Sequence, residues 1–489
     1  FNSLDWFSSL ILTFFYWFVI GKLLPPADYG VINIFVNLVT IIASFLSAGI
    51  STALFKLIPE YLELKRFDRV TSSIRFATKF ILLSIVIVSF VIILFSNQIS
   101  TVFKLPKFVI WLLPVSLLLY AFYIFQTNIM LGFQHTKKMA ISSIIGNSAK
   151  LIISIFFLYF NMTFFGPIIG FIVGLFLIFV LRFNYLLYSQ KSVKINSKEL
   201  VMKLGLPATL QTVLTMLLKT SRLLILSLFA SSVVVGVFGV ALFLTAEIST
   251  LPLIFSTALF PITSSLSVFK NTEKRQIYLI NLILRYSLLF TLPVLIFIVL
   301  FSGELIVLVS QVSYLEGKHL IPILSLGSLF LGIAILFIRS LYALGRPEIQ
   351  RNLVILTSIV YLAIAFPLTY LFSSLGISIA YTVASFILLT TSFFYLRKIL
   401  KYGIPLGNMS KLIFANAISM GVLYILSNYA QNIFIGILFT LLTGLFYLIL
   451  LLLIRFYTRD DITLLKYLSK YTPFGRNILN NIAKFLSKF

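Results

Sequence analysis

Residues 25–58 read PPADYGVINIFVNLVTIIASFLSAGISTALFKLI, and residues 231–260 read SSVVVGVFGVALFLTAEISTLPLIFSTALF. Each stretch is a turn ending in glycine, Gly30 or Gly236, followed by an apolar run longer than the roughly 20 residues a helix needs to cross a bilayer. Each closes on the same five residues, STALF, at Ser51–Phe55 and Ser256–Phe260, and then enters a loop holding a Lys-Arg pair, Lys65-Arg66 or Lys274-Arg275. A short identity in a Leu-rich chain carries little by itself. The matched turn before it and the matched basic loop after it make it one phase mark of a repeat, at an offset of 205 residues. A second mark agrees: Leu131-Gly132 precedes Lys137-Lys138 as Leu344-Gly345 precedes Gln350-Arg351, an offset of 213.

The whole chain has the composition these stretches imply. Of 489 residues, 60% are hydrophobic and 10% charged, whereas a soluble domain is nearer half apolar and a quarter charged. A mean hydropathy of +1.09 excludes a disordered chain. Apolar runs broken by polar residues, Gly or Pro predict fourteen spans, near 4–24, 31–57, 74–95, 108–131, 140–160, 166–187, 207–230, 237–268, 277–301, 320–343, 352–372, 377–396, 411–428 and 433–455. The expected fold is an all-α polytopic membrane protein. Pro252 and Pro261 inside the eighth span predict a kink there.

The net charge of +25 is a matter of topology and requires no nucleic-acid partner. One set of connections, together with the tail, holds 25 Lys and Arg, while the other set holds Lys104, Lys107 and Lys318. The positive-inside rule places the first set and both termini in the cytoplasm. In the tail, Ile478, Ile482, Phe485, Leu486 and Phe489 recur at helical spacing among basic residues, which predicts an amphipathic helix on the inner leaflet, with a partner-docking tail as the alternative.

The repeat maps spans 1–6 onto spans 7–12. Six is even, so both copies enter the membrane in the same sense and their relating axis runs along the membrane normal. The expected organisation is two pseudo-symmetric six-helix lobes, 1–190 and 191–405, then spans 13 and 14 in 406–457 and the basic tail in 458–489. Paired lobes around a midplane cavity suit alternating access. With no cysteine and two isolated histidines, His135 and His319, thiolate and histidine metal sites are not expected. Phosphate loops, zincin motifs, serine-nucleophile elbows and paired catalytic carboxylates do not occur in the sequence, so neither an enzyme nor a cofactor is expected. The sequence starts at Phe1 inside a hydrophobic run, and the natural start is expected to lie upstream. Asn161-Met162-Thr163 forms a sequon in an outer loop, a triplet common by chance.

The run LLPPADYGVINIF with AGISTALFKLIPEY resembles the first outer turn and second span of the polysaccharide transporters, the Wzx-type flippases of the superfamily that also holds multidrug and toxin extruders and lipid II flippases. SRLLILSLFASSVVVGVFGV with STALFP resembles that family's seventh and eighth spans, and LGFQHTKKMA its loop between spans 4 and 5. The resemblance implies a flippase that turns polyprenyl-phosphate or pyrophosphate glycans from the cytoplasmic to the outer leaflet of a prokaryotic plasma membrane. Two positions depart from the family pattern: Ser221, where relatives often carry an acid before the basic residue matched by Arg222, and Phe243, where they often carry a base.

Ten basic residues lie in or at the ends of spans. Arg75, Lys79, Arg182 and Arg339 are close enough to a cytoplasmic end to snorkel. Lys150 lies roughly 15 Å into span 5, where snorkelling fails. Lys219 and Arg222 share one face of span 7. A cation at such depth costs at least about 2.5–3.5 kcal/mol and normally faces a polar cavity or a partner. Lys150, Lys219 and Arg222 are therefore expected to line the cleft and bind the headgroup, with paired structural charges as the alternative. Lys56 joins them because its repeat counterpart is Pro261, so the shared fold does not demand a cation there. Lys22 and Arg285 are secondary candidates. Glu247 is the one acid clearly at depth, roughly 16 Å below the outer turn, between Arg222 at roughly 13 Å and Lys219 at roughly 18 Å. It is expected to form a salt bridge with one of them or to serve as a proton or sodium site. The implied partners are the polyprenyl-linked glycan, membrane lipids and such a coupling ion. A cation or drug antiporter of the same fold is the main rival; a membrane glycosyltransferase, ligase or polymerase is a more distant one.

Overall fold

The computed structural model describes residues 2–186, 220–256, 273–429 and 433–457. Among them every regular element is helical, and ten helices are long and apolar enough to cross a membrane. Ser8–Leu23, Phe165–Leu181 and Thr220–Phe229 are shorter apolar helices that occupy spans 1, 6 and 7. The helix Pro347–Leu400 is two spans in one run, because Ser373 breaks it at φ 51°, ψ −126°. A described helix therefore falls in each of the fourteen expected spans, with 207–219 of span 7 and 257–268 of span 8 outside the described residues.

The helix ends differ from the sequence estimate in an instructive direction. Span 2 runs Pro26–Glu63, so residues expected in the outer turn, Asp28 and Gly30 among them, are already helical. Proline at the first helical position lacks only an N–H that the helix would not use, and Asp28 in the first turn complements the positive helix end. Span 8, Ser232–Ser256, kinks as expected: a 3-10 turn occupies Glu247–Ser249, just before Pro252. Proline cannot donate to the carbonyl four residues back, so the ladder tightens at that point. Pro261 lies outside the described residues. Span 6 ends at Leu181 rather than near 187, followed by a single 3-10 turn, Phe183–Tyr185.

The repeat is visible as matched backbone. Span 1 ends at Leu23 and span 2 begins at Pro26, while span 7 ends at Phe229 and span 8 begins at Ser232, an offset of 206 at both marks. At the same offset, a Cβ added to Gly30 would collide with the carbonyl oxygen of Ser232, and one added to Gly236 would collide with the carbonyl oxygen of Pro26. The two helix starts thus touch reciprocally, backbone to backbone, at positions where only glycine fits.

For spans 5 and 11 the structure corrects the phase. Their preceding turns have the same hydrogen bonds: Gln134 N donates to Leu131 O and His135 N to Met130 O, as Gly345 N donates to Tyr342 O and Arg346 N to Leu341 O. Gln134 (φ 59°) and Gly345 (φ 76°) are the left-handed residues of the two turns, so the offset is 211 rather than 213. Gly345 answers to Gln134, and not to Gly132. In spans 6 and 12, Gly166 crowds the amide of Leu158 and Gly376 that of Thr369, which sets an offset of 210 between the glycines.

Packing divides the chain into two compact units. The first comprises Phe1–Thr245, Ile306–Gly327 and Glu348–Leu388. In it span 5 packs most extensively on span 6, span 2 on span 4, and span 1 on span 5. Tyr16, Phe35, Phe125 and Phe238 are fully buried there. The second comprises Ala246–Leu305, Ser328–Pro347 and Leu389–Phe489. Its core joins Leu289 of span 9 to Leu412, Ala415, Tyr447, Leu451 and Phe456 of spans 13 and 14. Asn416 Nδ2 donates to the Tyr447 hydroxyl at 3.0 Å, which ties the two additional spans together inside the hydrophobic layer.

Candidate functional site

Span 5 presents Lys150 to span 1. Its ammonium lies 3.6 Å from the centroid of the Tyr16 ring and 5.6 Å from that of Phe171 on span 6. Tyr16 is held in place by its hydroxyl, which donates to Pro167 O at 3.1 Å. Close helix crossing makes room for the lysine: a Cβ on Gly174 would come within 2.7 Å of both Gly146 O and Lys150 Cβ. Lys150 opens onto a cavity of about 230 Å³ that Ser9, Thr13, Trp17, Thr40, Tyr120 and Asn147 also line. Among the described residues around that cavity, Lys150 is the one charged group. A cation set against ring faces in a desolvated site gains about 2 kcal/mol, which offsets part of its burial cost without any carboxylate.

Span 7 presents Arg222 to span 12 in a related way. The guanidinium carbon lies 4.0 Å from the centroid of the Tyr381 ring, and Arg222 is buried beside Tyr361 and Ser221. By the offsets established from the backbone, Tyr16 corresponds to Arg222, Lys150 to Tyr361 and Phe171 to Tyr381. Each repeat therefore has the same three-position cluster of one cation and two rings, with the cation moved from span 5 to the counterpart of span 1. No motif in the sequence signals the rings, because Tyr and Phe recur throughout the spans.

The other expected site residues are more dispersed. Lys56 is exposed and forms a 3.9 Å ion pair with Glu60, one helical turn on. Lys22 Nζ donates to Val307 O at 2.6 Å, Gln311 Nε2 to Lys22 O at 3.0 Å, and the Tyr314 hydroxyl to Leu24 O at 2.9 Å. Lys22 thus belongs to a latch between the span 1–2 turn and the segment 306–319. In the second unit, buried Arg285 lies 5.1 Å from the Phe456 ring centroid and 5.2 Å from that of Tyr286. Glu247 opens the 3-10 turn of span 8 with its side chain exposed. Lys219 lies outside the described residues.

Arg182 does not snorkel. It is 1% exposed, and its guanidinium donates to Ser142 Oγ, Thr127 Oγ1 and Ser143 Oγ at 2.7 Å and to Met139 O at 3.1 Å. Because span 6 ends at Leu181, Arg182 sits at its terminus, level with hydroxyls of spans 4 and 5 that accept its fork of donors. Just beyond, the Tyr185 hydroxyl meets His135 Nδ1 at 2.8 Å. Partial burial raises the pKa of Tyr185, and the nearby positive charge of Arg182 opposes the rise.

Apolar helices in each of the fourteen spans among the described residues, a repeat of six of them and the buried cations Lys150 and Arg222 define a polytopic membrane protein. The family model described as polysaccharide biosynthesis protein matches residues 19–319, and the chain belongs to that family. It is 24% identical over 409 residues to an uncharacterised membrane protein of Methanocaldococcus jannaschii, covering 78% of this chain and 79% of that one. The fold is that of lipid II flippase MurJ in its inward closed conformation, with a TM-score of 0.71 at 18% identity over 91% of this chain and 97% of the other. An inward-facing multidrug resistance MATE family transporter of the MOP superfamily has a TM-score of 0.66 at 13% identity, covering 82% of this chain and 95% of its own. A MOP superfamily transporter from Pyrococcus furiosus, described as having a binding pocket of reversed polarity, has a TM-score of 0.56 at 15% identity over 82% of this chain and 94% of its own.

Proposed function

We propose that the protein is a flippase that moves a polyprenyl-phosphate- or pyrophosphate-linked oligosaccharide from the inner to the outer leaflet of a prokaryotic plasma membrane. It does so by alternating access between lobes 1–190 and 191–405, through a cationic central cleft. The observation that carries this reading is the cation–ring cluster present once in each repeat, centred on Lys150 and Arg222. A site for exported organic cations needs buried carboxylates, whereas the cavity beside Lys150 has none among its described lining residues. Membership of a polysaccharide biosynthesis family supports a glycan-bearing substrate.

In this reading Lys56, Lys219 and Arg222 bind the phosphate, and Lys150 adds to the field that attracts it. Lys22 and Arg285 take part in holding the helices. Glu247 pairs with Lys219 or Arg222, or takes up a proton or sodium ion. Moving an anion outward across an inside-negative membrane is favourable by about 2.3 kcal/mol per charge per 100 mV, so a headgroup near minus two gains several kcal/mol without ATP. With both termini cytoplasmic, the basic tail then lies on the anionic inner leaflet.

The test is reconstitution into vesicles with a fluorescent lipid-linked oligosaccharide, scoring protection from a membrane-impermeant quencher, beside a parallel assay of organic-cation efflux. Flipping that disappears in Arg222→Ala is expected. Cation efflux without flipping overturns the proposal in favour of a drug antiporter.

A further inference from the structure

We propose that the cavity beside Lys150 is a binding site for one monovalent inorganic anion of halide size. Lys150 is the one charged group among the described residues that line the cavity, a single cation deep in span 5. The rings of Tyr16 and Phe171 lie 3.6 and 5.6 Å from the ammonium and offset part of its desolvation. Phe171 also lines the cavity, together with Ser9, Thr13, Tyr120 and Asn147, whose side chains carry groups able to donate hydrogen bonds; Asn147 Nδ2 donates to Ser9 Oγ at 3.3 Å and keeps a second N–H. Donor-bearing side chains around a cavity with a lone cation are the chemistry of an anion site.

Charge and size narrow the occupant. A monovalent anion makes the cavity neutral, whereas a dianion replaces one buried charge with another of opposite sign at comparable cost. The cavity of about 230 Å³ has room for a halide with a few waters. The inference is independent of what the protein transports, and either can fail while the other stands.

The test uses the full chain purified in detergent with gluconate as the indifferent anion, titrated with radiolabelled chloride and followed in parallel by tryptophan emission. One saturable chloride per chain is expected, weakened at least tenfold in Lys150→Met and retained in Lys150→Arg. Trp17 borders the cavity, so Trp17→Phe should lose most of the emission change and weaken chloride less than Lys150→Met does; this variant leaves Lys150 in place should Lys150→Met not fold. Absence of saturable chloride binding to the wild-type chain overturns the proposal. So does chloride binding of undiminished strength in folded Lys150→Met, or an emission change that survives Trp17→Phe. Titrations with inorganic phosphate and with a short-chain polyprenyl phosphate complete the comparison: Lys150-dependent binding of either without chloride binding also overturns it, assigning the cavity to a phosphoryl group.

Discussion

Tyr16 and Arg222 stand at the same position of the two repeats, 206 residues apart, and act in opposite senses: Tyr16 offers its ring to a cation, and Arg222 is a cation resting on a ring. The partner of each, Lys150 or Tyr381, comes from the later spans of its own repeat. The duplicated fold has thus kept a three-position cluster while moving its cation from span 5 to the counterpart of span 1, so the cluster can be perturbed from either position.

The first consequence concerns Tyr16. Tyr16→Phe keeps the ring under Lys150 and loses one hydrogen bond to Pro167, worth about 1 kcal/mol. Tyr16→Leu removes the ring and should cost about 2 kcal/mol more through the lost cation–ring contact. Thermal unfolding in detergent should rank wild type above Tyr16→Phe and Tyr16→Phe well above Tyr16→Leu. Equal losses would show that the ring does not hold the lysine.

The reciprocal glycines make a sharper case. Gly30→Ala and Gly236→Ala each drive a methyl group into a backbone carbonyl of the facing helix, which cannot rotate aside. Both should be destabilised by similar amounts, about 1–3 kcal/mol as for other overpacked positions. Since either substitution pushes the same two helices apart, the double variant should cost less than the sum. Additivity in a thermostability assay would count against a shared contact.

At the inner end of span 6, Arg182 should not tolerate lysine. Four of its N–H donors are used in fixed directions by Ser142, Thr127, Ser143 and Met139, and an ammonium has three donors in a different geometry. Arg182→Lys is expected to lose nearly as much folded protein as Arg182→Met, read by the monodisperse fraction after heating. A lysine variant as stable as wild type would mean that charge, rather than the fork, is what matters there.

The latch at Lys22 predicts a state dependence. The chain contains no cysteine, so Lys22→Cys with Gln311→Cys creates a unique pair across the contact between the span 1–2 turn and the segment 306–319. Joining the two with a short thiol cross-linker should stop turnover in reconstituted vesicles, and cleaving the linker should restore it. Undiminished turnover in the cross-linked protein would show that this contact does not open during the cycle.

The sequence made the architecture legible because hydropathy and charge are long-range averages: fourteen apolar runs and a 25-to-3 division of basic residues survive local errors. Helix ends were less legible, since Pro26 and Asp28 look like turn residues and are also good first-turn residues. The repeat was found by matching glycine with glycine, but what the two copies share before spans 5 and 11 is a left-handed backbone, supplied by Gln134 in one and Gly345 in the other. Lys150 stood out because a lone cation amid apolar residues is costly. Its partners did not, because a tyrosine that cradles a cation has the same spacing and hydropathy as one that faces lipid. The burial of Arg182 is not legible because its acceptors, the hydroxyls of Thr127, Ser142 and Ser143 and the carbonyl of Met139, leave no mark in hydropathy.

The meeting of Gly30 and Gly236 also has a mechanical meaning. With no side chain between them, two backbones in contact form a fulcrum. From Gly30 to the end of span 2 at Glu63 the helix extends about 50 Å at 1.5 Å per residue, a lever with one end near its pivot. Turning that lever by about ten degrees carries its far end roughly 9 Å while the glycine end barely moves. A small rotation about the glycine contact would thereby be geared into a wide sweep at the opposite end of the helix.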